Sequence, residues 1–553
     1  MLLILSTPIA GADTTGPVIT QANPVDSFPV TGGKAAEPVS LEVATPAVDP
    51  AVQNLLNSHL VVSRVELSGV HALPFEQVAS FFTAFVNKDT TVAEMLTAAN
   101  RVTQLYRDQG YPLSFAIVPA QTFADNVVKI TVVEGYVNKV RIEGNAGYSK
   151  NRLKAIASQL ETERPLTQKA FERIIGVFNL QPGVQVVASV APPTTEDGGA
   201  EMLLNVKRQP ITVGLGIDSL QSGIRALTTV STNALTPLGE QLSASVLQPG
   251  GALKESYYAV NYTQPVGKNG MLLKVNGSDY KAEPTNQTLA AQQFQTQYQT
   301  KITRLGATLS YPLILENTRT LTLTGGLYAA ESKQVFERSV PALQMSVELS
   351  TKVRAVSAEL AYADVSKNSE NQQLTRQISV GVFRGINGLG AASVNSNADL
   401  TFTRATLQLS LAKQLSYGFG IAFAARGQYS ADILPSTEQI GYGGRLFGLG
   451  YPLGEIAGDS GIGASLELNR LFPVNTKYLK QLQPYLLVDR AKVYANATTL
   501  IHDSLASVAL GIRLSDNRHY NLDFSVAKPI ADKPANSASM APRVNVAYSY
   551  QLN

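Results

Sequence analysis

The chain has 553 residues and a net charge of +3, with 42 Gly, 22 Tyr and 18 Phe but no Cys and no Trp. Only 16% of the residues are charged and the mean hydropathy is +0.01, so uncharged polar residues and glycine fill much of the sequence. The composition excludes disulfide scaffolds, cysteine chemistry and a basic surface for nucleic acid, and no apolar run of ~18 residues follows the N-terminus to form a transmembrane helix. It is compatible with a transmembrane β-barrel.

The N-terminal segment has the pattern of an export signal. A short apolar run from Leu2 to Ala10 is followed by the small-residue sequence Ala10-Gly11-Ala12, without a preceding basic residue. We expect residues 1–12 to be the remainder of a signal peptide. Residues 13–58 are rich in Pro, Ala, Thr and Val and have no sustained period, which predicts a linker.

Two consecutive units of about 75 residues share one predicted order of elements, β-α-α-β-β. In the first unit, residues 59–136, the pattern predicts strands and helices at Val61–Leu67, Pro74–Phe82, Val92–Gln109, Leu113–Val118 and Val127–Val133. In the second unit, residues 137–208, it predicts them at Val140–Ile142, Lys150–Leu160, Gln168–Phe178, Val184–Val190 and Met202–Val206. Each unit is large enough for a small core of its own.

From about residue 211 onward, apolar and polar residues alternate. Leu305, Ala307, Leu309 and Tyr311, for example, are separated by small or polar residues. Segments of about ten residues with this period are typical of strands that face lipid on one side and a lumen on the other. Sixteen such segments lie near residues 212, 224, 240, 256, 270, 302, 320, 354, 374, 402, 419, 461, 482, 505, 520 and 542. We predict a 16-stranded antiparallel transmembrane barrel over residues 209–553; the alternative, a soluble all-β array, would carry more outward charge.

No pattern of catalytic or cofactor-binding residues emerges. The four histidines, at positions 59, 71, 502 and 519, do not have metal-ligand spacing, and the sequence has no phosphate-binding P-loop. Gly458-Asp459-Ser460-Gly461 is similar to the nucleophile segment of trypsin-like proteases, but the other parts of that signature are missing. We therefore expect no catalytic residue, no metal site and no cofactor.

Residues 441–463 are the most unusual stretch of the chain, with nine glycines interspersed with large apolar residues such as Tyr442, Phe447 and Tyr451. This composition favours a backbone that is packed tightly inside the protein over a solvated loop. With a periplasmic N-terminus, the segment connects the eleventh and twelfth strands on the extracellular side. We expect this sixth extracellular loop, residues 431–460, to fold into the lumen.

Several short sequences occur in an order and at a spacing that identify a family. They are Tyr106-Arg107-Asp108-Gln109-Gly110-Tyr111 and Val132-Val133-Glu134-Gly135 in the first unit, Val140-Arg141-Ile142-Glu143-Gly144-Asn145 and Leu180-Gln181-Pro182-Gly183-Val184 in the second, and Tyr257 to Pro265 at the start of the barrel. In this order the chain resembles the outer-membrane transporters of two-partner secretion, of the haemolysin-activator type within the BamA superfamily. The resemblance implies that the two units are periplasmic α+β POTRA domains.

The resemblance also bears on the glycine-rich loop. In the superfamily the in-folded sixth loop carries a Gly-Gly pair followed by Val-Arg-Gly-Tyr/Phe. Here Gly443-Gly444 is followed by Gly448-Leu449-Gly450-Tyr451, so that Leu449 stands where the family has Arg.

In the family that Arg pairs with acidic lumen residues, and the resemblance implies Glu467 and Asp489 for this role. Because two buried carboxylates without a cation are costly, we predict that Arg445 replaces the missing Arg. In the alternative, water in the lumen solvates both carboxylates.

The resemblance implies a transporter in the outer membrane of a Gram-negative bacterium, which exports a large exoprotein that is unfolded in the periplasm (type V secretion). The POTRA domains would recognise this partner by β-augmentation, and the chain would cross through the barrel lumen. We expect contacts with the substrate around four apolar residues, Leu113, Phe115, Phe171 and Phe178. The other expected partners are outer-membrane lipids and, for insertion of the barrel itself, the barrel assembly machinery, with no role for nucleic acid.

Two alternative functions are also compatible with the sequence. An assembly factor of the BamA type would insert other barrels, but such proteins tend to carry more POTRA repeats than this chain can hold. A simple porin would need neither the repeats nor the in-folded loop. The termini also differ from the family pattern, because the Pro-rich residues 13–50 do not favour an N-terminal plug helix and the sequence ends Tyr550-Gln551-Leu552-Asn553 rather than on an aromatic residue.

Overall fold

The computed structural model describes residues 56, 58–119, 121–122, 126–190, 193, 197–221, 223–248, 254–283, 296–340, 343–368, 370, 372–445, 447–497, 500, 502–534 and 539–552. The expected signal-peptide remainder, nearly all of the linker and Asn553 lie outside the described residues. Within the described ranges, no helix is both long enough and apolar enough to cross a membrane.

The first unit, for which the resemblance implies a POTRA domain, is built from two small sheets and one long helix. Its elements are β1 (His59–Val61), β2 (Arg64–Ser68), α1 (Phe75–Ala79), β3 (Asp89–Thr91), α2 (Val92–Asp108), β4 (Phe115–Ile117) and β5 (Val127–Val133). Strand β5 lies between β2, to which it is parallel, and β4, to which it is antiparallel. Thr91 and Glu94 form a capping box at the start of α2, and Gly110, with φ +86°, follows its end.

Two of the sequences that point to the family meet in this domain. The hydroxyl of the buried Tyr106 donates a hydrogen bond of 2.9 Å to Oε1 of Glu134. The same oxygen accepts the backbone N–H groups of His71 and Ala72 at 2.8 and 2.7 Å. Burial, together with the hydrogen bond to Glu134, raises the pKa of Tyr106, so the phenol remains a donor. Glu134 therefore fixes both α2 and the loop before α1 to the end of β5.

The second unit, the second expected POTRA domain, repeats the β-α-α-β-β order. It contains β6 (Tyr136–Gly144), α3 (Lys150–Ala157), α4 (Gln168–Asn179), β7 (Val184–Val190) and β8 (Gly199–Arg208). Strand β8 lies between a parallel β6 and an antiparallel β7, so β7 is an edge of this three-stranded sheet. Phe171, Ile175 and Phe178 of α4 are fully buried in the core beneath the sheet. The predicted α+β architecture is confirmed.

The rest of the chain forms a closed barrel of sixteen long antiparallel strands, as predicted. They are β9 (Ile211–Gln221), β10 (Gly223–Asn233), β11 (Gln241–Gln248), β12 (Ser256–Val266), β13 (Met271–Ala282), β14 (Thr296–Leu315), β15 (Arg319–Val340), β16 (Leu343–Lys367), β17 (Gln373–Gly385), β19 (Thr403–Gln414), β20 (Phe419–Tyr429), β23 (Ser460–Arg470), β25 (Gln481–Tyr494), β26 (Ser504–Ser515), β27 (Tyr520–Pro529) and β28 (Arg543–Leu552). Two short strands, β18 (Ala392–Val394) and β24 (Phe472–Pro473), add to the sheet. The barrel closes where β28 pairs with β9, from Ala547 opposite Asp218 to Leu552 opposite Val213.

The alternation in the sequence corresponds to the two faces of the barrel wall. On β14, Leu305 and Leu309 are exposed on the outside, whereas Thr308 and Ser310 are buried on the inside. An outer face of apolar side chains requires lipid, because a soluble array would place polar groups there. A closed barrel leaves no unpaired strand edge in the membrane, which satisfies the backbone hydrogen bonds.

Candidate functional site

The segment between β20 and β23 forms a hairpin inside the barrel. Its strands, β21 (Ile440–Tyr442) and β22 (Ile456–Gly458), pair with each other and not with the barrel sheet. Buried side chains from this segment pack against inward-facing residues of β25 and β26, among them Val493 and Leu505. Since Val488 and Leu510 of the same strands are exposed on the outer face, the packed face is the lumen.

Glycine is required where the two arms of this loop approach each other. Gly443 has φ +125°, and a Cβ atom there would lie 2.1 Å from the carbonyl oxygen of Pro452. A Cβ at Gly448, with φ +136°, would lie 3.0 Å from Cα of Gly443. Gly443 therefore combines a left-handed backbone with a contact too close for any side chain, and Gly448 has a backbone conformation that other residues rarely adopt.

The tip of the loop is bound to the barrel wall through its main chain. The N–H of Leu449 donates to Oδ2 of Asp489 at 3.0 Å, and the N–H of Gly450 donates to Oγ of Ser507 at 3.1 Å. The side-chain amide of Asn545 donates to the carbonyl oxygen of Leu449 at 3.1 Å. We call these groups the tip clasp: the main chain of Leu449 and Gly450 with the side chains of Asp489, Ser507 and Asn545.

The tip clasp explains how Leu449 can stand at the position of the family's Arg. Its side chain packs on Ala509 and Ala527. Asp489 receives, besides the Leu449 N–H, the backbone N–H and the hydroxyl of Ser507 at 3.1 and 2.7 Å. Three donors thus satisfy a buried carboxylate without a cation from the loop.

Glu467 obtains its cation from the barrel wall. Arg513 on β26 donates two hydrogen bonds to the carboxylate of Glu467, at 2.7 and 2.6 Å, in a bidentate arrangement. Its Nε lies 3.3 Å from Oδ2 of Asp523, and its guanidinium stacks 4.1 Å from the ring centre of Tyr485. The sequence analysis did not identify Arg513. The alternation of β26 places it on the same inner face as Ser507 and Ala509, which could have indicated a cation in the lumen.

Arg445 lies beside this cluster with a different partner from the one expected. Its Nη2 atom lies 3.3 Å from Oδ2 of Asp523, and both side chains are partly exposed. The ion pair is therefore with Asp523, whereas Glu467 is paired with Arg513 and Asp489 with the donors described above. Arg445, Asp489, Arg513 and Asp523 line a cavity of about 210 Å³. Within the described residues, no group of three His, Asp or Glu side chains is arranged to hold a metal ion.

We expect the Arg445→Ala variant to change little. The Arg445–Asp523 ion pair is partly solvated, and Asp523 keeps Arg513, so the loss of stability is expected to be about 1 kcal/mol or less. The measurement is secretion of the partner together with disulfide crosslinking of a Tyr451→Cys variant to a cysteine on the barrel wall. A large loss of crosslinking would instead identify Arg445 as an anchor of the loop.

The four residues expected to contact substrate lie in the POTRA cores. Leu113, Phe171 and Phe178 belong to one buried cluster and Phe115 is also buried, so these side chains offer no surface in this conformation. The structure instead exposes Val187, at 63%, on the outer face of the edge strand β7. The sequence contains a signal for this exposed valine. In the alternating segment Val184–Val190, the outward positions are polar except for Val187.

The second POTRA domain is docked onto the periplasmic turns of the barrel. Arg173 on α4 donates to the hydroxyl of Tyr311 at 3.2 Å and to the carbonyl oxygen of Pro312 at 3.3 Å. The backbone N–H of Asn317 donates to Glu172 at 3.1 Å, and Arg152 donates to the carbonyl oxygen of Gly267 at 2.8 Å. These contacts hold α3 and α4 at the entrance to the barrel.

The fold and the in-folded loop define an outer-membrane β-barrel transporter with periplasmic POTRA domains. A model of the POTRA domain, ShlB-type, matches residues 60–135, and a model of the haemolysin secretion/activation protein ShlB/FhaC/HecB matches residues 207–514. The chain belongs to this ShlB/FhaC/HecB family. It is a transporter of the two-partner secretion type that exports a secreted protein across the outer membrane, which confirms the function and location predicted from the sequence.

Individual relatives agree with this assignment. The heme/hemopexin transporter protein HuxB of Haemophilus influenzae is 21% identical over 82% of this chain and 80% of its own length. The structure of CdiB from Escherichia coli matches with a TM-score of 0.66 and 18% identity, over 94% of each chain. BamA from Haemophilus ducreyi lacking POTRA domains 1–3 matches with a TM-score of 0.54 and 17% identity, over 89% of this chain and all of that one. At these identities the structural matches establish the fold, including the fold shared with BamA.

Proposed function

We propose that the second POTRA domain captures an extended segment of the exoprotein at β7 and delivers it to the barrel lumen. The observation that carries this proposal is the docking of this domain on the periplasmic turns, because it places an available strand edge at the entrance to the barrel. Edge strands bind extended peptides by main-chain hydrogen bonds, and pockets for alternate side chains add specificity. Val187 supplies an exposed apolar contact on this edge.

Transport by this route involves no catalytic step. The barrel has sixteen strands, a size at which the lumen is wide enough for an aqueous channel. Folding of the exoprotein outside the cell would give the movement its direction. Outer-membrane lipids surround the apolar outer face of the barrel, and the barrel assembly machinery inserts it.

Deletion of the gene tests the proposed function. The expected result is that one large protein, encoded next to this gene, disappears from the medium while the outer-membrane protein profile remains intact. General loss of barrel proteins would instead support an assembly factor of the BamA type. Expression of the full chain from a plasmid is the control and should restore secretion.

The proposed capture strand is tested by Val187→Asp. A carboxylate at this exposed position is expected to reduce secretion severalfold, because it places a charge where the substrate strand would pack. The change should leave the fold intact, since the side chain points away from the core. Val61→Asp is the matched control, because Val61 is a similarly exposed valine in the first POTRA domain. Equal secretion by both variants would exclude β7 as the capture strand.

A further inference from the structure

The base of the in-folded loop contains an ion pair that is buried on both sides. Arg404 projects inward from β19, and its Nε and Nη2 atoms each lie 3.0 Å from Oε2 of Glu438 in the loop. The side chains are 2% exposed each. The hydroxyl of Tyr328 donates to the same oxygen at 2.6 Å, and the guanidinium of Arg404 lies 3.7 Å from the ring centre of Phe383. The pair is therefore shielded from water and fixed in position by both of its neighbours.

The same place joins the two ends of the loop. The side-chain amide of Gln428 donates to the carbonyl oxygens of Glu438 at 2.9 Å and Asp459 at 3.1 Å. The buried carboxylate of Asp459 in turn accepts the backbone N–H of Leu434 at 2.9 Å and of Asn496 at 2.7 Å. We call Arg404, Glu438, Tyr328 and Gln428 the stem lock.

The stem lock and the tip clasp hold the loop by different types of interaction. The tip clasp binds the loop by hydrogen bonds that involve the neutral main-chain groups of Leu449 and Gly450 and by the contact of one leucine. Tyr442, Tyr451 and Ile456 of the same hairpin add apolar packing against the barrel wall. The stem lock combines a buried ion pair with a neutral amide that bridges both ends of the loop. Beside it, Leu434 packs against Phe383 and Phe402. A buried ion pair is costly to open because each separated charge would lack a partner. Apolar contacts and hydrogen bonds to neutral groups can be exchanged for others as the loop moves along the wall, so we expect the tip to yield before the ion pair opens.

We propose that Arg404 and Glu438 are positioning residues for translocation: the stem lock stays closed while the tip clasp opens, which confines movement of the sixth loop to residues 440–458. This inference rests on the proposed route through the lumen. It adds that the loop swings about a fixed base, so that it can leave the path of the substrate and return without being lost from the lumen.

Because the chain contains no cysteine, two disulfides can be introduced separately into the full-length protein. The hydroxyl oxygens of Ser332 and Ser436 are 3.5 Å apart, so a Ser332→Cys/Ser436→Cys variant bridges the stem. A Leu449→Cys/Ala527→Cys variant bridges the tip and keeps the main-chain bonds of the tip clasp. The oxidised stem disulfide is expected to leave secretion unchanged, whereas the oxidised tip disulfide is expected to abolish it until reductant is added. Loss of secretion with the stem disulfide, or normal secretion with the tip disulfide, would overturn the proposal.

A second experiment tests the ion pair itself. Glu438→Gln is expected to lower the yield of the tip disulfide about fivefold, and to increase fluctuation of the ion current in planar bilayers, because the loop loses its fixed base. Adding the oxidised stem disulfide to Glu438→Gln should restore a steady current, and reductant should remove that rescue. Glu331→Gln, which removes a partly exposed partner of Arg354, is the control and should behave as the unmodified protein.

Crosslinking and conductance need no exported partner. If the proposed route fails, Val187→Asp and Val61→Asp secrete equally, but Glu438→Gln still changes both readouts. If the stem lock fails, Glu438→Gln matches Glu331→Gln in crosslinking and conductance.

Discussion

Replacing Asp489 with alanine is expected to release the tip of the sixth loop and to reduce secretion strongly. The carboxylate accepts the N–H of Leu449 and both the N–H and the hydroxyl of Ser507. Asp489 is almost fully buried, so Asp489→Ala removes the acceptor of the Leu449 N–H at a place away from bulk water. A buried donor left without an acceptor costs about 1–3 kcal/mol. We therefore expect a loss of about 1–3 kcal/mol in the stability of this loop conformation.

The measurement is the yield of the tip disulfide in a Leu449→Cys/Ala527→Cys background, compared with and without Asp489→Ala. Asp503→Ala is the matched control, because Asp503 is a more exposed aspartate paired with Lys492 in the next extracellular loop. If Asp489→Ala and Asp503→Ala give equal yields, the tip is held by packing of its apolar side chains rather than by the tip clasp.

Replacing Arg513 with alanine is expected to destabilise the barrel far more than the Arg445→Ala change. Arg513 makes two hydrogen bonds to Glu467 and an ion pair with Asp523, and it stacks on Tyr485. Its removal leaves the carboxylate of Glu467, which is 8% exposed, without a cation. Removal of one partner of a buried pair costs about 3–5 kcal/mol, and partial solvation of Arg513 reduces this to about 2–4 kcal/mol.

The temperature at which the folded barrel unfolds in detergent, followed by the change in its electrophoretic mobility, reports this difference. Arg513→Lys should lie between the wild type and Arg513→Ala, because lysine keeps the charge but not the bidentate geometry. Glu467→Gln added to Arg513→Ala should recover part of the loss, since it removes the unpaired charge. Equal unfolding temperatures for Arg513→Ala and Arg445→Ala would contradict this account of the cluster.

The barrel and the POTRA domains could be predicted from the sequence because their signals are local. Alternation such as that around Leu305 and Leu309 follows directly from a wall with one face in lipid and one in the lumen. The glycines between residues 441 and 463 indicated a closely packed backbone, because only glycine permits the close approach at Gly443 and readily adopts the backbone conformation at Gly448.

The contacts of the candidate site could not be predicted in the same way. Arg513 and Glu467 are 46 positions apart, and Arg404 and Glu438 are 34 apart. Which inward-facing side chains meet depends on the stagger of neighbouring strands and on the path of the loop, neither of which is encoded in a local pattern. The burial of Leu113, Phe115, Phe171 and Phe178 could not be predicted for a related reason, because an apolar helix or strand position has the same appearance in a core as in a binding groove.

By itself, the sequence determined the class of this protein: two α+β repeats, a lipid-facing barrel of sixteen strands and a loop that must pack tightly. The tertiary structure decided how that loop is bound. Every residue except proline carries a backbone N–H, so a clasp made by the main chain of Leu449 and Gly450 leaves no trace in the side-chain pattern. The loss of the family's Arg at position 449 therefore looked like a missing cation, whereas the fold satisfies Asp489 with main-chain and hydroxyl donors and Glu467 with an arginine from the wall.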